Sequence, residues 1–93
     1  MNRNEFKANA KKSIDNLFSK IEELEAKKDK ASAETKAKFG EQLSALKASQ
    51  KDLMEKYKNM SEASEEKWEE TKAAFSDASD SFKEGFEKIK SLF

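Results

Sequence analysis

The chain reads as all-α: a long antiparallel helical hairpin of coiled-coil type, with a monomeric three-helix bundle as the alternative. Three observations lead there. Glu, Lys, Ala and Ser dominate, with no Pro, only two Gly, no Val, and three Ile and two Thr as the only β-branched residues. Helices accept that composition and strands do not. The large apolar residues fall into three strings stepped by three and four. Between Ile14 and Phe93 those steps average about 3.6 residues, the α-helical period.

The first string is Ile14, Leu17, Ile21 and Leu24, with Phe18 beside it and Phe6 one or two turns earlier. Alternating steps of this kind form a heptad a/d seam. Asn2 and Glu5 have capping-box spacing, which starts the first helix near residue 3. The second string is Phe39, Leu43, Leu46, Leu53, Tyr57 and Met60, with Gln50 as the one polar residue in its seam. The third is Trp68, Phe75, Phe82 and Ile89 at heptad spacing, flanked by Phe86 and Phe93.

The phase slips by one residue between Leu24 and Phe39 and again between Met60 and Trp68. At the second slip Asn59, Ser61 and Ser64 are all good N-caps. Glu62, Glu65, Glu66, Glu69 and Glu70 then suit the partial positive charge of a helix N-terminus. A break is expected within 59–64. At the first slip Asp29 and Ser32 are possible caps, but the surrounding Lys, Ala and Glu favour helix, and continuity is the preferred reading. The expected elements are one helix over about 3–59 and one over about 62–92, in a single domain. A folded-back second helix then covers half of the first, leaving Ile14, Leu17, Phe18, Ile21 and Leu24 in water. An apolar stripe of that size calls for a partner, so the hairpin predicts a homo-oligomer, a dimer first. The three-helix alternative breaks near 29–32 and needs no partner.

Composition narrows function mainly by exclusion. The chain has no Cys and no His. It therefore lacks a thiol nucleophile, the best neutral-pH general base and the commonest metal ligand. No enzyme, cofactor or metal role is expected. Nineteen basic residues balance nineteen acidic ones, which argues against nucleic-acid binding, since that needs a basic excess. Residues 1–50 carry a net +3 and residues 51–93 a net −3, a split that favours antiparallel packing. No apolar run approaches the ~20 residues of a membrane span. No signal peptide is read in Met1–Lys7, so a soluble cytoplasmic protein is expected.

Certain blocks carry a resemblance. They are Leu24-Glu25-Ala26-Lys27, Ala31-Ser32-Ala33-Glu34-Thr35-Lys36-Ala37-Lys38-Phe39, Glu41-Gln42-Leu43, and Ser61-Glu62-Ala63-Ser64-Glu65-Glu66-Lys67-Trp68-Glu69-Glu70-Thr71-Lys72-Ala73. Through them the stretch from Ile21 to Phe93 resembles a family of small bacterial coiled-coil proteins of the stress-response type. The chain departs from that pattern at Thr71, where the family has Leu, and in its Phe-rich end. The resemblance implies an all-helical, stress-linked accessory protein and no activity.

Three patterns have a functional reading beside a structural one. The glutamates at 62–70 offer oxygen ligands for a hard cation, but one straight helix cannot wrap them round an ion. They read as a solvated first turn. Lys27, Lys28, Lys30, Lys36 and Lys38 suit a polyanion, but Asp29 and Glu34 interrupt them. Helical pairs such as Glu23–Lys27, Glu34–Lys38, Asp52–Lys56 and Glu84–Lys88 account for most of the alternation. The aromatic stripe Trp68, Phe75, Phe82, Phe86 and Phe93 suits a lipid surface. However, small residues follow three positions after the large ones, at Thr71, Ala78 and Gly85, and large-on-small alternation is the pattern of close helix packing. The expected function is a non-enzymatic helical assembly or interaction protein, with a peripheral lipid-surface binder as the second reading. The residues expected to carry the contacts are Ile14, Leu17, Phe18, Ile21, Leu24, Phe39, Leu43, Leu46, Leu53, Tyr57, Trp68, Phe75, Phe82, Phe86 and Ile89.

Overall fold

The structure is a computed structural model and describes residues 2–93. Among them the chain forms three helices and no strand: α1 (Arg3–Lys28), α2 (Ala33–Glu62) and α3 (Glu65–Lys90). They make a bundle 50 × 18 × 16 Å in extent. Ring contacts fix the order along its axis: Phe6 lies against Trp68, Phe18 against Phe82 and Phe39 against Phe93. α1 and α3 therefore run parallel, with α2 opposite.

The all-α class holds, but the single helix expected over 3–59 is two helices. α1 stops at Lys28, residues 29–32 turn, and Ser32 caps α2 by accepting a hydrogen bond from the Thr35 N–H at 3.2 Å. The reversal folds the first apolar string back onto the second. Ile14, Ile21 and Leu24 become buried, and Leu17 and Phe18 half-buried. Fully burying such a side chain stabilises by about 1.5–3 kcal/mol. A four-residue gap in otherwise exposed helix costs far less, so the stripe finds its cover inside the chain. The second break falls at Ala63 and Ser64, inside the expected range.

Some helix ends are closed by local chemistry and one is closed across the bundle, while Ser64 stands at the α3 N-cap position without a side-chain hydrogen bond. Asn2 accepts from the Glu5 N–H at 2.8 Å and donates to the Glu5 carboxylate at 3.2 Å, so the capping box forms. α2 has no basic residue in its last turn. Its terminal carbonyls are met from α1 instead. The Arg3 guanidinium donates to the Ala63 carbonyl, and Lys7 Nζ lies 3.5 Å from the Ser61 carbonyl. Two cations thus face the negative end of the α2 dipole across the bundle. The Arg3 guanidinium also stands 4.8 Å from the centre of the Trp68 ring, a cation–π contact.

The core is one column of apolar side chains. Phe39, Leu53, Met60 and Phe82 have no measurable exposure, and Ile14 and Ile89 are nearly as enclosed. α2 and α3 pack closely, because small residues lie between them. Ala78 is buried, and a side-chain carbon at Gly85 would come 3.1 Å from Leu46 Cδ1. α1 is held off by rings: Phe6 stands edge-on to Trp68 at 5.8 Å and to Phe75 at 6.3 Å, and Phe18 lies 5.9 Å from Phe82.

Charge contributes little to this stability. Glu34–Lys38 and Asp52–Lys56 form within α2, whereas Glu23–Lys27 and Glu84–Lys88 do not close among the described residues. Lys11 pairs with Asp15, whose hydrogen bond holds that ammonium above the usual lysine value. Among the described residues only Glu25–Lys47, at 3.8 Å, joins two helices. Exposed pairs of this kind are worth ~0–1 kcal/mol each.

The two glycines differ in kind. Gly40 is exposed inside α2, and nothing lies within 4 Å of the place a side-chain carbon would occupy. Gly40→Ala is therefore expected to raise stability by about 0.8–1 kcal/mol, the full propensity difference. That corresponds to a rise of roughly 4–8 °C in Tm for a domain of this size, measurable by circular dichroism. An unchanged or lower Tm would mean that the α2 backbone is not regular helix at this position.

Candidate interaction surface

The fifteen residues expected to carry contacts are almost all core. Ile14, Ile21, Leu24, Phe39, Leu46, Leu53, Phe75, Phe82, Phe86 and Ile89 are buried. Leu17, Phe18, Leu43, Tyr57 and Trp68 are half-buried against them. Heptad spacing identified the packing face but not which copy covers it. Five core residues fell outside that set: Ala10, Ala78 and Met60 are buried, Phe6 is half-buried between Trp68 and Phe75, and Leu92 is half-buried against the core. Ala10 lies on the apolar face of α1, where a search for large side chains passes over it, and Ala78 is one of the small residues that follow the large ones along α3.

With the strings turned inward, what α1 and α3 leave open is a groove along their shared seam. Its main part has a volume of about 270 Å³. Its origin is geometric. The Phe6 and Phe18 rings stand as pillars between the two helices, and between them both helices carry small residues. Ala10 and Ser13 on α1 face Ser76 and Ser79 on α3, and no side chain there is large enough to close the gap. Ile14, Leu17 and Phe75 give the floor apolar surface, and Asp80 and Lys83 stand on the rim. A second pocket of about 190 Å³ lies further along the same seam, beyond the Phe18–Phe82 contact, between Glu23, Leu24, Lys27, Phe86 and Lys90. The lining of the main part is apolar and hydroxyl-bearing, with Asp80 and Lys83 as its charged groups. Among the described residues no three acidic side chains are grouped so as to hold a metal ion.

The fold also gathers charge that the linear sequence spreads out. The end formed by the α1–α2 turn and the α3 terminus carries lysines from three stretches of chain. The opposite end carries the glutamates at 62–70. Among the described residues no helix is long and apolar enough to cross a membrane. Comparison of the chain with protein-family models, with curated proteins and with solved structures finds no match.

Proposed function

We propose that the chain is a non-enzymatic helical assembly protein, a cytoplasmic accessory of the bacterial stress-response type, that pairs with a second copy of itself through the α1/α3 groove. The groove is the observation that carries this reading. A helix can approach closely where Ala10, Ser13, Ser76 and Ser79 line the seam, and the floor beneath is apolar. The rim is self-complementary: Asp80 and Lys83 lie three residues apart on α3. A two-fold interface sets each against its opposite on the partner. The stripe Ile14–Leu24 no longer calls for that partner, since it is covered within the chain. The lipid reading of α3 would take Phe75, Phe82, Phe86 and Ile89 out of the core they fill.

The test is mass against concentration by sedimentation equilibrium, for the unmodified chain and for Ser79→Arg. The expected result is a two-chain species that Ser79→Arg reduces to one chain with helix content unchanged. A stable interface of this sort buries at least about 1,000 Å², and one Arg in a seam of small residues prevents that contact. One-chain mass throughout the series, or a two-chain species that Ser79→Arg leaves intact, would refute the groove as the interface.

A further inference from the structure

We infer that the end of the bundle formed by the α1–α2 turn and the α3 terminus is a docking surface for an anionic lipid bilayer. Three separate stretches of chain meet there. Lys27, Lys28 and Lys30 come from the end of α1 and its turn, Lys36 from the start of α2, and Lys88 and Lys90 from the last turn of α3. Contacts tie the stretches together. Lys27 and Lys90 line the same part of the α1/α3 groove. Lys28 Nζ stands 5.8 Å from the centre of the Phe39 ring, and Phe39 lies 5.5 Å from Phe93. Among the described residues these six lysines make no ion pair with an acid. Of the acids in the same stretches, Glu34 is engaged by Lys38, and Asp29 is an exposed carboxylate in the α1–α2 turn, against which the six ammonium groups leave a clear basic excess. Glu23 lines the same pocket as Lys27 and Lys90, and Glu87 precedes Lys88 in the last turn of α3.

The net charge of zero does not oppose this. At physiological salt an exposed charge is screened beyond about 8 Å, and the bundle is 50 Å long. A surface approached end-on meets the lysines and not the glutamates at 62–70, which lie at the other end. Each lysine brought to an anionic lipid surface tightens binding about fivefold, or about 1 kcal/mol, and clusters of four to eight on amphipathic helices bind such surfaces.

The apolar part of the patch selects a bilayer over another polyanion. Phe93 is 44% exposed, one of two large apolar side chains that remain so among the described residues, and Leu92 beside it is half-buried. A bilayer offers an apolar layer just below its charged headgroups, where a ring can enter while the lysines stay above. A nucleic-acid duplex offers no such layer. Base recognition also favours arginine, and these stretches contain none.

The experiment is co-sedimentation of the full chain with two kinds of vesicle. One is pure phosphatidylcholine, and the other contains about 30% phosphatidylserine as the anionic component. The chain should bind the second and not the first, with affinity falling as salt rises. Lys30→Glu/Lys36→Glu should weaken binding at least ~tenfold. Both positions are exposed, and Lys36 lies in the first turns of α2, where an acid suits the helix, so the variant should keep the helix content of the unmodified chain by circular dichroism. Lys27→Gln/Lys90→Gln provides a second pair from the same patch and should weaken binding ~threefold or more. Lys51→Glu/Lys58→Glu makes the same charge change along α2, away from the patch, and should leave affinity within about twofold. Phe93→Ala should reduce affinity severalfold at constant salt. Four results would overturn the inference: equal binding to both vesicles, no binding to either, equal loss in the patch and control variants, or tighter binding to a DNA duplex at the same salt.

Discussion

Phe82→Ala is expected to lower the unfolding free energy by about 3–5 kcal/mol, the range for emptying an enclosed Phe site. Phe82 has no measurable exposure and meets the Phe18 ring at 5.9 Å. It comes from α3 and reaches the level where α1 is held off by rings. Truncation therefore removes a filler and also the ring against which the Phe18 pillar stands, and α1 cannot close the gap without moving Phe18. For a domain of this size each kcal/mol shifts Tm by roughly 4–8 °C. The total stability of such domains is about 5–15 kcal/mol, so the variant should be close to unfolding at ambient temperature. Urea and thermal melts followed by circular dichroism measure the loss. A decrease below ~1 kcal/mol would place Phe82 on a surface and return α3's apolar face to the lipid reading.

The features legible in the sequence are those set by local chemistry. The all-α class follows from the absence of Pro and Val and from the stepping of the apolar residues. The Asn2–Glu5 cap follows from side chains that satisfy a helix terminus, and the break before Glu65 falls where a cap-type residue precedes an acidic first turn, although Ser64 makes no side-chain cap hydrogen bond. The turn at 29–32 was only half legible. Ser32 was visible as a cap, but Lys27–Lys38 is otherwise made of good helix formers, and the apolar period averages through the slip. What decides it is tertiary: reversal lets Ile14, Ile21 and Leu24 share one core with Phe39, Leu46 and Leu53. No window of local sequence contains that comparison.

The same limit applies to the surfaces. Lys27–Lys38 reads along the chain as an interrupted run, and Lys88 and Lys90 read as helix-end lysines that complement a dipole. Only the parallel course of α1 and α3 brings them to one end. The α1/α3 groove was hidden for a related reason. A string of large residues shows which face is buried, but a gap depends on where small residues on two different helices coincide. Ala10 and Ser13 meet Ser76 and Ser79 only after the chain has reversed twice. The Arg3 contact with Trp68 and the Ala63 carbonyl likewise joins residues separated by most of the chain.

Gly85→Leu tests the tight side of the bundle, and two effects there have opposite signs. Leu is a better helix former than Gly, and on propensity alone the change would stabilise by nearly 1 kcal/mol. Against that, a side-chain carbon at Gly85 already comes 3.1 Å from Leu46 Cδ1. Leu46 is buried between α2 and α3 and is not free to swing away. Overpacking a contact of this kind costs about 1–3 kcal/mol, so the expected result is a net loss despite the better propensity. Gly85→Ala should fall near zero, because a shift of a few tenths of an ångström in Leu46 accommodates one methyl. The double variant Leu46→Ala/Gly85→Leu opens the space that the new side chain needs. Its stability should exceed the sum of the two single changes by at least ~1 kcal/mol, a coupling expected only of residues in contact. A Tm that rises in Gly85→Leu alone, or a double variant that is simply additive, would show that α2 and α3 do not approach closely at this level.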